Sequence, residues 1–319
     1  MMRVAILDDY QGVALNLADW KSLQPEVQVE AIPEHIADTD NLAKRLHGFE
    51  AVILMRERTP LPRALIEKLP NLKLVITTGP QNASVDAKAL AERGIVFCGT
   101  AGIGAPTAEL AWGLMIGLLR HIPQEDRAIR QGRWQTKIGY SAEGKTLGII
   151  GVGKLGKAMV GYAKAFNMPV IGWSRSFNDE KAAELGIKSV TKEELFKQAD
   201  IVTIHVNLNE QSRGMVGAAE LGLMKPTSYL INTSRGPIVD ETALLNALKA
   251  RRIAGAAIDV YDREPTTKDH PYFGLDNIIV TPHLGYVIEE NMRVNYGHAV
   301  ENIRAFLAGN PIRVVKPRS

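Results

Sequence analysis

Thr146-Leu147-Gly148-Ile149-Ile150-Gly151-Val152-Gly153-Lys154-Leu155-Gly156 runs a short apolar stretch into a glycine-punctuated turn, and residues 157–165 continue with helical spacing. A lone G-x-G-x-x-G is weak evidence, but a strand before it and a helix after it form the context the motif requires. Gly151 permits the tight turn, Gly153 lets a pyrophosphate approach the backbone, and Gly156 lets helix and strand pack closely. Lys154 and Leu155 then open a helix whose first N–H groups and positive dipole end suit an anion. The stretch predicts a dinucleotide site in a parallel α/β sheet.

The next predicted strand, 170–173, leads into Ser174-Arg175. An acidic residue about 20 positions beyond the motif would bond the ribose 2′-OH of NAD. Ser174 stands in that place, and no carboxylate follows until Asp179. Serine leaves room for a 2′-phosphate, and Arg175 can pair with it. NADP(H) is therefore expected to be accepted and favoured over NAD. The competing reading has Arg175 stacked on the adenine or turned to solvent.

Short apolar runs alternate with helical patterns along nearly the whole chain, which predicts parallel sheets covered on both faces. The first third offers strands at 4–7, 27–31, 51–55, 74–77 and 95–98, with helices at 61–69 and 87–93. The second part offers strands at 146–150, 170–173, 201–206, 229–232, 256–260 and 278–281. Between them, 105–120 starts as a helix with Pro106 and Thr107 and is apolar nearly all round, as a domain crossing or a subunit contact would be. Thr191-Lys192-Glu193-Glu194 has the spacing of a capping box. Residues 242–251 form a helix with a basic end, and a long helix at 288–308 stops at Gly309-Asn310-Pro311. That last helix follows the nucleotide unit with no third domain beyond it, so it is expected to pack back on the first. The fold class is α/β, with two Rossmann-like doubly wound parallel sheets and a discontinuous first domain: 1–100 plus 287–319, and 101–286.

Composition narrows the function. The 319 residues are 45% apolar and 23% charged with a net charge of +3, and the charges are interspersed, so no basic block calls for nucleic acid. One cysteine, Cys98, excludes an intramolecular disulfide and fits a reducing, cytoplasmic setting. Cys98 ends an apolar run and reads as a small buried hydrophobe rather than a nucleophile. The N-terminal apolar run is cut by Asp8 and Asp9, which argues against a secretory leader, and the apolar run at 108–119 is too short to span a bilayer. No membrane partner is expected.

In open α/β sheets ligands lie beyond the carboxyl ends of the strands. Val206, Asn207 and Thr233 fall there as candidate cofactor contacts, and Arg235, Asp259, Glu264 and His283 follow neighbouring strands. An arginine can hold a carboxylate and polarise a carbonyl, a histidine can exchange an alcohol proton near neutral pH, and a carboxylate can orient that histidine. His35, His47, His121, His270 and His298 fall away from strand ends, and His205 falls inside a strand, so packing or surface roles are expected for them. No histidine pair has metal-ligand spacing with a carboxylate, so no metal is expected.

These segments together resemble the D-isomer-specific 2-hydroxyacid dehydrogenases, which include phosphoglycerate dehydrogenases and glyoxylate/hydroxypyruvate reductases. The likeness is carried by 148–156, Leu223-Met224-Lys225-Pro226, 230–240, 255–265 and Thr281-Pro282-His283-Leu284-Gly285, and extends over nearly the whole length. It implies an NAD- or NADP-dependent enzyme moving a hydride to or from C2 of a small D-2-hydroxy or 2-oxo acid. Arg235 would bind the substrate's carboxylate and carbonyl, Glu264 would pair with His283 as proton donor and acceptor, and Asp259 would hold the nicotinamide carboxamide. Thr107 matches a cofactor contact; Arg56, Thr78 and Gly79 match positions that embrace the substrate. The resemblance also implies a flavodoxin-like substrate domain, a cleft that closes on cofactor, and a homodimer built through the nucleotide domain.

Three departures bear on the substrate. The loop 77–86 is poorer in glycine than the common pattern, Asn207 replaces a usual proline, and Tyr286 replaces a usual small residue. Tyr286 is a candidate substrate contact that would either narrow the site or stack at its rim. NADP acceptance leans towards a reductase, as does a C-terminus with no regulatory domain of the kind some phosphoglycerate enzymes carry. Two other readings remain: a nucleotide-binding scaffold or corepressor without turnover, and a formate dehydrogenase, against which Glu264 argues because that branch pairs its histidine with an amide.

Overall fold

The computed structural model describes residues 1–317; residues 318 and 319, where the expected segment 287–319 ends, lie outside the described residues. The chain forms two compact units, Met1–Gly104 with the chain from Val287 onward, and Ala105–Tyr286.

The first unit holds β1 (Met2–Ile6), β2 (Val27–Ala31), β3 (Ala51–Leu54), β4 (Leu74–Thr77) and β5 (Val96–Cys98) in one parallel sheet of order β2-β1-β3-β4-β5. That order is the flavodoxin-like one, in which strand order reverses beside the first strand. β3 and β4 are buried at every residue, as strands covered on both faces must be. The helices α1 (Thr39–Leu46), α2 (Arg63–Glu67) and α3 (Ala87–Glu92) connect them. Asp38 and Asp86 cap α1 and α3, accepting from the N–H groups of Asn41 and Ala89.

The second unit opens with α4 (Pro106–Leu119) and α5 (Ile122–Arg130), then β6 (Leu147–Ile150), α6 (Lys154–Ala165), β7 (Val170–Trp173), α7 (Asp179–Glu184), β8 (Lys188–Ser189), α8 (Lys192–Gln198), β9 (Ile201–Ile204), α9 (Ala218–Leu223), β10 (Tyr229–Asn232), α10 (Glu241–Lys249), β11 (Gly255–Ile258) and β12 (Ile278–Val280). Its parallel sheet runs β12-β11-β10-β9-β6-β7-β8, and the order reverses at β6, directly under the glycine turn. The edge strand β8 carries no sequence signal, because two residues are too few to show a period. The capping box on α8 forms: the Thr191 side chain accepts from the Glu194 N–H while the Glu194 carboxylate takes the Thr191 N–H.

The nearly all-apolar α4 buries one face within its own unit, while Leu110, Trp112 and Ile116 stay half-buried. Ala108, Ala111, Met115 and Leu118 are buried in a cluster with Leu147, Ile149, Met159 and Ile231, and Trp112 packs edge-on against Tyr162 of α6 and Phe166 just past its end. Among the described residues no helix is long and apolar enough to cross a membrane.

The chain from Val287 onward returns to the first unit through α11 (Glu289–Leu307). Its buried polar residues explain the docking: Asn295 accepts from the Thr100 hydroxyl at 2.6 Å and Asn302 donates to the Gly99 carbonyl at 2.9 Å, while Tyr296 meets Trp20 edge-on. Val315 then donates its N–H to Phe97 beside β5.

Candidate active site

The glycine turn is built by exclusion. Gly151 has φ +93°, and a Cβ there would stand 2.5 Å from the His205 carbonyl oxygen; a Cβ on Gly156 would stand 2.3 Å from the Gly151 oxygen. Gly153 is the opposite case, exposed with nothing within 4 Å. It caps α6 without a side chain, so a ligand can approach the backbone at the start of that helix, where the N–H groups of Lys154, Leu155 and Gly156 have no helical carbonyl before them. This cradle fits a dinucleotide pyrophosphate. Beyond β7, Ser174 is half-buried and Arg175 exposed.

At the ends of β11 and β12 a second set assembles. His283 Nδ1 lies 2.5 Å from Glu264 Oε2, and Glu264 Oε1 accepts the Tyr261 N–H at 2.8 Å. His283 takes the left-handed conformation, φ +55°, and its N–H donates to the Asp259 carbonyl at 2.8 Å. Such a backbone costs about 1–3 kcal/mol and persists only where the surroundings impose it. The imposing residue is Asp259, fully buried, whose carboxylate accepts from Thr281 Oγ1 at 2.6 Å and from the N–H groups of Leu284 at 2.7 Å and Gly285 at 2.9 Å. Burial pushes the Asp259 carboxyl up from its ordinary value, against those hydrogen bonds. Thr107 closes the turn from α4 by donating to the Gly285 carbonyl at 2.9 Å. Tyr286 stands edge-on to the His283 ring, with centroids 5.3 Å apart.

Past β10 the backbone turns sharply. Asn232 accepts the Ser234 N–H at 3.0 Å and donates to the Arg235 carbonyl at 3.0 Å, while Ser234 Oγ donates to Ile204 of β9 at 2.7 Å. Arg235 is half-buried and donates through Nη1 to the Ser234 carbonyl at 2.7 Å. Gly236 is required, since a Cβ there would meet the Tyr261 backbone at 2.1 Å. Thr233 is buried, and its hydroxyl has no hydrogen-bond partner among the described residues. A buried hydroxyl without a partner at a strand end fits a contact to a bound group.

β9 ends at Ile204, so His205 lies just past the strand instead of inside it, with Val206 and the exposed Asn207 following. Its N–H donates to Ile150 at 2.7 Å and Nε2 lies 2.9 Å from Thr203 Oγ1, but buried Nδ1 has no partner among the described residues. Burial pushes the imidazole down to about 4. The only sequence signal was its position at a strand end, hidden by an overlong strand boundary.

In the first unit, Arg56 follows β3 with φ +51°. Its N–H donates to Thr78 Oγ1 at 2.9 Å and its Nη1 to the Thr78 carbonyl at 3.1 Å. A Cβ on Gly79, which has φ +116°, would stand 1.7 Å from Arg56 Nη1. Arg56, Thr78 and Gly79 thus form one interlocked group. Buried Cys98, its thiol pushed up to about 11 by desolvation, takes no part. Among the described residues no cluster of three or more His, Cys, Asp or Glu is arranged to hold a metal.

Residues 112–285 match the family described as D-isomer specific 2-hydroxyacid dehydrogenase, NAD binding domain. The chain is 37% identical over 97% of its length to a D-3-phosphoglycerate dehydrogenase of Methanocaldococcus jannaschii, and spans 58% of that protein. It is 33% identical to a glyoxylate reductase of Korarchaeum cryptofilum, covering 91% of this chain and 86% of the relative. A crystal structure of a phosphoglycerate oxidoreductase from Vibrio cholerae superposes with a TM-score of 0.93 at 36% identity, covering 97% of this chain and all of that one. With the family match spanning more than half its length, the chain belongs to the D-isomer specific 2-hydroxyacid dehydrogenases.

Proposed function

We propose that this protein reduces a small 2-oxo acid, or oxidises the matching D-2-hydroxy acid, with NAD or NADP. The candidate substrates are glyoxylate, hydroxypyruvate and 3-phosphohydroxypyruvate-like acids. The observation that carries the proposal is the Glu264–His283 pair at the carboxyl edge of the same sheet that carries the glycine cradle. A scaffold or corepressor could lose that pair, whereas turnover needs it.

When bound, the nicotinamide supplies the hydride or accepts it. Lys154, Leu155 and the glycines would hold the pyrophosphate, with Val206, Asn207 and Thr233 as further contacts. Glu264 accepts at Nδ1 and so fixes the imidazole with Nε2 directed away from it; Nε2 would pass a proton to the forming alkoxide. Arg235 would hold the carboxylate and stabilise the developing charge. Arg56, Thr78 and Gly79 are proposed as further substrate contacts, and Tyr286, edge-on to His283, as a limit on substrate size. Asp259 and Thr107 would act one step back, holding the turn that presents His283, because their side chains are already engaged with that turn.

NADP(H) would be favoured, since Ser174 and Arg175 leave space and positive charge where NAD enzymes place a carboxylate. A homodimer through the second unit is supported by Trp134, Ile138 and Tyr140, which are 78%, 91% and 52% exposed. The cytoplasm is the proposed location. The decisive assay is a panel of 2-oxo acids with NADH and NADPH followed by nicotinamide absorbance; no turnover with any of them would overturn the proposal.

A further inference from the structure

We propose that Asn82 is a positioning residue that aims Arg56, and that it does so in a way aspartate cannot replace. The inference rests on Arg56 as a substrate contact. Asn82 is 7% exposed, in the loop that departs from the family pattern. Its Nδ2 donates to the Arg56 carbonyl at 2.6 Å and to Thr77 Oγ1 at 3.1 Å. Its Oδ1 accepts the Ser84 N–H at 2.9 Å and the Ser84 hydroxyl at 2.7 Å.

These partners leave one orientation. A backbone carbonyl only accepts and a backbone N–H only donates, so the amide cannot be reversed. The carboxylate of an aspartate would set an oxygen against the Arg56 carbonyl oxygen and repel it. The Asn82 bond on the carbonyl and the Thr78 bond on the N–H grip Arg56 from both ends of its backbone, in the left-handed conformation that a non-glycine residue does not keep unaided. That conformation lays the guanidinium across Gly79, in space only a glycine leaves open. Asn82 thereby decides where the positive charge stands without touching substrate.

The test is a double-mutant cycle on the 2-oxo acid the wild type reduces, using Asn82→Asp, Arg56→Gln and the pair together. Asn82→Asp is expected to lower kcat/KM about ten-fold, the size of one buried hydrogen bond, with more of the effect in KM than in kcat. In the Arg56→Gln background the same change should add nothing, since Asn82 acts through Arg56. Should Asn82→Asp fail to fold, Asn82→Ala removes the donor without adding charge and enters the same cycle. If Arg56→Gln weakens substrate use but the Asn82 change has no effect, or its effect multiplies with that of Arg56→Gln, the positioning role is wrong while the reading of Arg56 stands. If Arg56→Gln leaves kcat/KM unchanged, the reading of Arg56 falls and the inference falls with it.

Discussion

Glu264 and His283 meet at 2.5 Å, Oε2 to Nδ1, and the second oxygen of the same carboxylate holds the Tyr261 N–H at 2.8 Å. One side chain therefore orients the imidazole and ties it to the loop beyond β11. His283→Gln is expected to lower kcat by at least about 10²-fold with cofactor still binding, because positioned proton transfer is worth roughly 10²–10⁴-fold. Glu264→Gln should cost less, and the double variant should be no worse than His283→Gln, as groups acting as a unit behave. Steady-state kinetics with a fluorescence titration of NADPH would check this; near-normal turnover of His283→Gln would sink the assignment.

On the proposed preference for NADP(H), Ser174 and Arg175 at the end of β7 would decide cofactor choice. Arg175→Ala should lower kcat/KM for NADPH about ten-fold or more, the worth of a charge-assisted hydrogen bond, and leave NADH little changed. Ser174→Asp should reverse the preference by repelling a 2′-phosphate. A wild type that strongly prefers NADH would contradict both expectations.

His205 gives the fold an acid-sensitive point. Its imidazole is held neutral down to about 4, against an ordinary value of 6.5. Between those values the unfolded chain binds a proton that the folded chain does not, so stability falls as pH drops from about 6.5 to 4, by at most about 3 kcal/mol. His205→Gln should flatten that part of the curve. Thermal melts of both proteins at intervals from pH 7 to 4 would measure it; parallel curves would refute it.

Ile138 and Trp134 carry the proposed self-association. Ile138→Asp with Trp134→Ser should convert a dimer to a monomer in light scattering, by placing charge and polarity where apolar surface would be buried. A wild type that is already monomeric would remove the proposal.

Much of this protein can be read along the chain. The strand–glycine turn–helix order at 147–165 follows from local backbone constraints, and the capping box on α8 and the helix at 289–307 follow from short-range bonding and periodicity. The residues after each strand are also readable, because a parallel sheet sends every strand end to one edge. Strand boundaries are less so: β9 stops two residues early, which moved His205 out of the sheet, and two-residue β8 gave no period. Contacts between residues far apart in sequence needed the fold. Asp259 holds the turn of His283 from 24 positions away, and Asn82 grips a carbonyl 26 positions back. Periodicity reports which face of an element is apolar; only packing shows whether a buried hydroxyl, amide or carboxylate is already satisfied by a neighbour or left for a ligand.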